Sequence, residues 1–460
     1  MVRFIGRTKE LRYLEDAYAE PGFHTCAVYG RRRIGKSSLI REFCRGKRAI
    51  YIQFVENSEE VNIDLIRSAI TDLEGRDPGE FENLLRALRC LADLCGADKT
   101  ILVFDEFPFL AAGSKCAPSA LQHLIDIELR DTETFLIVCG SSIRSMKDET
   151  EDPKRPLYGR FPVRIKLEPL SPGECREFHP NMSDIDVMKT YLAVGGIPYY
   201  HEMMNCDTFE DCIIKNFAAF PAPLSDEAAA IIDRELSPAS THSSIASFLA
   251  KGTNRIKDLS EKVKISEQAC GRYLRDMEEI GLVERIKPMA DAPKRPLFRI
   301  RDNLMHFYYG AIERRSSILK TSDPRAVYKM LEHDIDACLG IAFECVCSDH
   351  IVRSMLCKEI GKWWGRAGGE DRDVDIIAAV YESDHEAALF CECKFRRRPT
   401  GVGAFARLKD TSDHVRGLNS NRRFVIFSAS GFDDDLTDLA ERSDGASKII
   451  LIGLNDLYRA

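Results

Sequence analysis

Eight consecutive residues, Gly30-Arg-Arg-Arg-Ile-Gly-Lys-Ser37, fill every fixed position of a GxxxxGK[ST] phosphate-binding loop. A triphosphate is an extended anion, best held by backbone N–H groups at a helix N-terminus, where orphan donors and the helix dipole converge. Gly30 and Gly35 let the main chain turn tightly and approach without a Cβ in the way. Lys36 can reach the β- and γ-phosphates as a point charge, and the Ser37 hydroxyl can join a Mg²⁺ shell, with Ser38 beside it at the helix start. ATP and Mg²⁺ are therefore the expected ligands. A second set of residues suits the same chemistry: Asp105 and Glu106 close the apolar run 101–104, and Ser141 follows the run Thr134–Cys139. Asp105 is expected to hold Mg²⁺, mostly through water, Glu106 to polarise an attacking water, and Ser141 to sense the γ-phosphate.

A third constellation lies near the C-terminus. Glu344 falls on an expected helix, Asp375 at the entrance of an apolar strand, and Glu392 and Lys394 two residues apart on the next strand, so both point to one face. Carboxylates that hold Mg²⁺ (Asp375 and Glu392 foremost) plus a lysine that positions water are what phosphodiester hydrolysis needs. Arg396-Arg-Arg398, Arg407 and Lys409 follow and offer phosphate contacts.

These residues need elements to carry them. His24–Tyr29 reads as a buried strand before the phosphate loop, and a helix runs on from Ser38 to Phe43. Strands over Ala49–Phe54 and from Ile101, with helical patterns over Val61–Leu73 and Phe81–Leu94, give a doubly wound α/β core. Further on, helices from Ser244, from Arg255 and over Ser266–Ile280 precede strands Gly281–Ile286 and Leu297–Arg301, the order of a winged helix-turn-helix. Its third helix presents Gln268, Arg272 and Arg275 for DNA contact, and Lys287, Lys294 and Arg295 fall on the wing. In the C-terminal part, Trp363-Trp-Gly365 is expected as strand and turn, with later strands over Arg423–Phe427 and Lys448–Ile452.

The chain has 460 residues, 44% hydrophobic and 30% charged, which suits roughly three globular domains and excludes global disorder. No charged, apolar leader and no apolar run near ~18 residues is present, so a soluble, cytoplasmic protein without a membrane partner is expected. Sixteen cysteines are scattered without a CxxC pair; Cys345/Cys347 and Cys391/Cys393 are CxC pairs, of which only the second is expected on a strand. The net charge is −8, yet residues 237–320 hold 16 Lys/Arg against 10 Asp/Glu, which marks that segment as the candidate for nucleic-acid contact.

Several motifs together resemble the archaeal branch of the AAA+ and STAND ATPases. Phe4-Ile-Gly6-Arg7 followed by Glu10-Leu11 resembles their adenine-side segment, and Pro156-Leu-Tyr-Gly-Arg160 and Gly195-Gly-Ile-Pro198 resemble later motifs. The resemblance implies a sheet with a strand inserted between the phosphate-loop strand and the Asp-Glu strand. It also implies nucleotide contact by Gly6 and Arg7, a phosphate-sensing role for Arg160, a helical lid that includes Gly195–Pro198, and an aromatic linker over Asp302–Tyr309. The order Glu344, then Asp375-x(16)-Glu392-x-Lys394, resembles the PD-(D/E)XK nuclease superfamily, with Val374 where a proline is usual. The expected architecture is α/β: a three-layer P-loop ATPase core over 1–170, a helical lid over 171–236, a winged helix-turn-helix over 237–312 and a restriction-endonuclease-like domain over 313–460. The function implied is an ATP-gated switch, slowly hydrolysing, coupled to a Mg²⁺-dependent nuclease-like domain that acts on or binds DNA. The rival readings are a non-catalytic nucleotide-switched regulator of DNA or a protein partner, and a motor that remodels a protein.

Overall fold

Burial explains the first sheet. The run His24–Tyr29 is buried over its last five residues, and Thr100–Asp105 and Thr134–Gly140 are buried throughout, the pattern of strands covered by helices on both faces. In the computed structural model, which describes residues 4–96, 98–219, 221–315, 323–382, 385–418 and 421–459, these runs are β1 (His24–Tyr29), β3 (Thr100–Asp105) and β4 (Thr134–Gly140). With β2 (Ala49–Gln53) and β5 (Val163–Lys166) they form a parallel sheet ordered β2-β3-β4-β1-β5. Strand β4 is the one inserted between the phosphate-loop strand and the Asp-Glu strand. The helix expected over Phe81–Leu94 begins at Leu84, because the Asn83 side chain caps it by accepting from the Arg86 N–H.

Crowding at the end of β4 fixes one glycine. A Cβ on Gly140 would lie 2.7 Å from the Met146 sulfur and from two ring carbons of Pro108. Gly140→Ala is expected to destabilise this unit by about 1–3 kcal/mol, read as a lower urea midpoint at unchanged slope.

The chain folds into two units, residues 1–170 with 197–199, and residues 171–196 with 200–460. In the second unit, helices Ala239–Ala250, Ile256–Val263 and Glu267–Glu279 precede the antiparallel hairpin of β6 (Val283–Ile286) and β7 (Leu297–Ile300). The first of these helices starts five residues before the expected Ser244, directly after Pro238, and Leu249, Leu259, Leu274, Val283 and Ile300 share one core. A 31-residue helix, Pro324–Ser354, leads into the meander β8 (Leu356–Ala367), β9 (Glu370–Glu382) and β10 (His385–Lys394). Helix Val402–Ser412 then crosses to β11 (Arg422–Ser428), which is parallel to β10, and helix Asp434–Glu441 to β12 (Ile449–Ile452), giving the order β12-β11-β10-β9-β8. Trp363-Trp-Gly365 lies inside β8 rather than at a turn. Cys391 and Cys393 are on β10, Cys345 and Cys347 are on the long helix, and none of the sixteen cysteines is in a disulfide.

The wing does not project into solvent. The segment between β6 and β7 lies along β8: the Lys362 N–H donates to the Lys287 carbonyl and the Met289 N–H to the Lys362 carbonyl, both at 3.0 Å. The Trp363 indole donates to Asp291 at 2.9 Å, and Met289 and Ala292 join the core of the C-terminal sheet.

A buried histidine pair marks the start of the second unit. His201 Nε2 lies 2.7 Å from the Gly195 carbonyl, so it carries the proton, and its Nδ1 accepts from His179 Nε2 at 2.8 Å. Burial pulls His179 down to about 4 and His201 to about 3. Both rings take up protons more readily in the unfolded chain, so stability is full at neutral pH and falls as pH drops below about 6.5. A loss of about 1.4 kcal/mol per pH unit per histidine is expected between about pH 6 and 4, measured by urea unfolding and removed by His179→Gln with His201→Gln.

Candidate nucleotide site and acid–lysine cluster

The phosphate loop leaves β1 at Gly30, where a Cβ would come within 2.9 Å of the Leu167 carbonyl. Gly35, at φ 96°, caps helix Lys36–Cys44 in a left-handed conformation that only glycine adopts without strain. Lys36 is buried, and its ammonium donates to the carbonyls of Gly30 at 3.0 Å and Arg31 at 3.2 Å. The Ser37 hydroxyl donates to Asp105 Oδ2 at 2.8 Å, the Tyr51 hydroxyl donates to the same oxygen, and Asp105 Oδ1 accepts the Glu106 N–H at 3.0 Å. Burial and the Asp105 carboxylate push the Tyr51 phenol well up, so it stays a donor.

Glu106 sits in the left-handed region at φ 54°, a costly setting for a side chain that clusters at functional positions. Its Oε2 accepts from the Ser141 N–H at 3.0 Å and the Ser141 hydroxyl at 2.9 Å. Lys36, Ser37, Asp105, Glu106 and Ser141 thus meet at the C-terminal ends of β1, β3 and β4, where ligands bind in open α/β sheets. Ser37 and Asp105 are hard oxygen donors already in contact, a set that fits Mg²⁺.

Arg7 is buried beside the loop, donating to the carbonyls of Glu168 at 2.6 Å and Ile34 at 3.0 Å and to Glu10 at 3.2 Å. Gly6 precedes it at φ 69°. The Pro198 ring would be 3.7 Å from a Cβ on Gly35, and the Arg33 guanidinium lies 4.2 Å over the Tyr199 ring. Arg160 is not brought to the loop. Its carbonyl accepts from Thr25 at the opposite end of β1, about 16 Å of strand from Gly30, and its guanidinium clasps Asp126 at 2.8–2.9 Å. Its charge is spent on a local ion pair, which also holds the Asp126 carboxyl below its usual range.

On the winged helix, Gln268, Arg272 and Arg275 are exposed while Cys270, Leu274 and Met277 face the core. Lys287 pairs with Glu359 of β8; Lys294 and Arg295 are exposed.

Glu344, Asp375, Glu392 and Lys394 lie at one end of the C-terminal sheet. The Cys393 N–H donates to Asp375 Oδ2 at 2.9 Å, and Lys394 pairs with Glu392. A residue that sequence reasoning missed sits among them. Lys362 Nζ lies 2.9 Å from Asp373, 3.5 Å from Glu344 and 3.8 Å from Asp375. Burial first, and then neighbouring carboxylates, raise Glu344 and Glu392, while Glu344, Asp373 and Asp375 raise Lys362 against the opposing effect of its desolvation. Among the described residues, no group of three or more His, Cys, Asp or Glu is placed to hold a metal. As arranged, these acids do not fit a Mg²⁺ ion. Beside them, Arg396, Arg398, Gly401 and Arg407 line an open groove of about 750 Å³.

Residues 4–204 match a family described as an ATPase domain predominantly from Archaea, residues 247–284 a winged helix-turn-helix DNA-binding family, and residues 308–404 a family of archaeal and bacterial proteins of unknown function. An uncharacterized protein of Methanocaldococcus jannaschii is 27% identical over 404 residues, covering 85% of this chain and 88% of its own. An uncharacterized ATP-binding protein of the same organism is 40% identical over 48 residues, 10% of this chain and 81% of its own. The structure of a Walker-type ATPase of Pyrococcus abyssi aligns with a TM-score of 0.50 at 19% identity, covering 66% of this chain and 96% of that one, a likeness of fold. No helix among the described residues is long and apolar enough to cross a membrane.

Proposed function

We propose that the chain is an ATP-controlled switch of the AAA+/STAND kind, a reading supported by the match of residues 4–204 to the predominantly archaeal ATPase domain and of residues 247–284 to a winged helix-turn-helix. Its nucleotide state governs a DNA- or protein-binding module built from the winged helix and the C-terminal α/β domain. The network from Lys36 through Ser37 and Asp105 to Glu106 and Ser141 carries this reading.

Binding asks Lys36 to exchange two loop carbonyls for phosphate oxygens, and Arg7 keeps the loop's Ile34 carbonyl in place meanwhile. Ser37 and Asp105 would hold Mg²⁺, which supplies charge neutralisation on the phosphates. Tyr51 orients Asp105 by occupying Oδ2. Glu106 is the base for the attacking water, and with its carboxylate held by Ser141 it is drawn away from that task. Slow turnover follows, which suits a switch better than a motor.

The C-terminal helix–meander–helix–strand order resembles PD-(D/E)XK nucleases, and the closeness of Glu344, Asp375, Glu392 and Lys394 at one end of the sheet supports reading them as counterparts of that family's acids and lysine. Lys362 favours a binding module over a phosphodiesterase, because its ammonium puts a resident positive charge within 4 Å of carboxylates a metal would need. A nicking assay with Mg²⁺ or Mn²⁺, with and without ATP, tests this. No cleavage by the wild type supports the binding module; cleavage lost in Asp375→Ala restores the nuclease reading.

DNA contact rests on the exposed face of helix Glu267–Glu279. Arg272→Ala with Arg275→Ala is expected to weaken DNA binding about tenfold and to lower the salt slope by about two, measured by fluorescence anisotropy over a salt series with ATP, ADP and no nucleotide. An unchanged slope would exclude these two side chains from the interface.

A further inference from the structure

The acid cluster has its own cation, and the wing places it. Strand β8 pairs with β9 through a register shift, with Gly361 opposite Ile377 and Trp363 opposite Val374, so that Lys362 faces the two-residue bulge of Asp375 and Ile376 on β9. Such a bulge re-aims side chains, here on the strand that carries Asp375. Both backbone groups of Lys362 bond instead to the wing, at Lys287 and Met289. Contact there is backbone to backbone: a Cβ on Gly361 would lie 2.2 Å from the Lys287 carbonyl. Met289, Ala292 and the Asp291–indole bond clamp the same segment over Trp363. The wing therefore holds the backbone of Lys362 in place, and its ammonium reaches Glu344, Asp373 and Asp375 within 4 Å.

An ammonium and a divalent ion compete for the same oxygens. Three carboxylates around one half-buried ammonium are already neutralised in part, and Lys394 serves Glu392. We propose that Lys362, seated by the docked wing, is the resident cation of this cluster and keeps divalent metal out of it. The site becomes a metal site only when the lysine is withdrawn. This deepens the reading of the C-terminal domain as a nuclease-like fold used for binding, and rests on that reading. It also gives the winged helix a second task, as the latch of the acid cluster.

The test is Mn²⁺ binding to the full-length chain without nucleotide, followed by electron paramagnetic resonance and calorimetry. The wild type is expected to lack any site tighter than about 1 mM that Asp375→Asn abolishes. Lys362→Met is expected to gain one site at least tenfold tighter, lost again when Asp375→Asn is added, whereas Lys362→Arg keeps a cation and gains none. Met289→Asp, which unseats the wing from its apolar contacts, is expected to gain the same site. One Mn²⁺ bound by the wild type and lost in Asp375→Asn overturns the proposal, whether or not Lys362→Met folds. A folded Lys362→Met that gains no site overturns it as well, and a folded Met289→Asp without metal removes the wing's part. Failure of the underlying reading looks different: a wild type that is metal-free alone yet nicks DNA through Asp375 ends the binding-module reading and leaves the latch standing.

Discussion

Replacing Glu106 with glutamine is expected to cut ATP turnover by at least about 100-fold, roughly 2.7 kcal/mol of barrier, while ATP affinity stays within about threefold. Glutamine keeps the size and can still accept from Ser141, so the left-handed turn at φ 54° and the end of β4 are preserved. What is lost is the ability to take a proton from water. Phosphate release under saturating ATP measures the rate, and calorimetry with a slowly hydrolysed analogue measures the affinity. Equal turnover by Glu106→Gln and the wild type would remove Glu106 from the chemistry. Ser141→Ala should act in the opposite sense, since it frees one of the two contacts that hold the carboxylate back.

Lys36→Ala is expected to lower ATP affinity by about 100-fold, equivalent to roughly 2.7 kcal/mol. Lys36 is buried and its ammonium already lies across the loop, so alanine removes the charge that faces the phosphates and the donor that organises the Gly30 and Arg31 carbonyls. Both losses act on binding, so ADP should weaken too, although less than ATP. Titration with a fluorescent nucleotide checks this, and normal ATP affinity in the variant would mean that the loop assignment is wrong.

Local chemistry was readable from the sequence wherever residues close in the chain act together. The phosphate loop, the Asp-Glu strand end and the polar residue after β4 all announce themselves by type and spacing, and the alternation around Glu392 and Lys394 placed both on one face. Long-range pairing was hidden. Tyr51 reaches Asp105 only because β2 lies beside β3. Arg160 met Asp126 rather than the nucleotide side because residue 160 leads into β5, at the far end of β1 from the loop. Lys362 looked like one more charge in a strand, since the β9 bulge that faces it is a property of pairing register and leaves no mark in composition. The wing read as a free hairpin for the same reason: nothing local says that Met289 and Ala292 are buried against the C-terminal sheet.

The docked wing has a further consequence for how the chain behaves in a crowded cell. Strand β8 is the outer strand of its sheet, and an outer strand offers unpaired N–H and C=O groups to any other chain. The bonds at Lys287, Lys362 and Met289 cover part of that row. Releasing the wing would open a template for intermolecular strand addition. A variant with a freed wing should therefore self-associate, so the contact that looks like regulation also works as protection against aggregation.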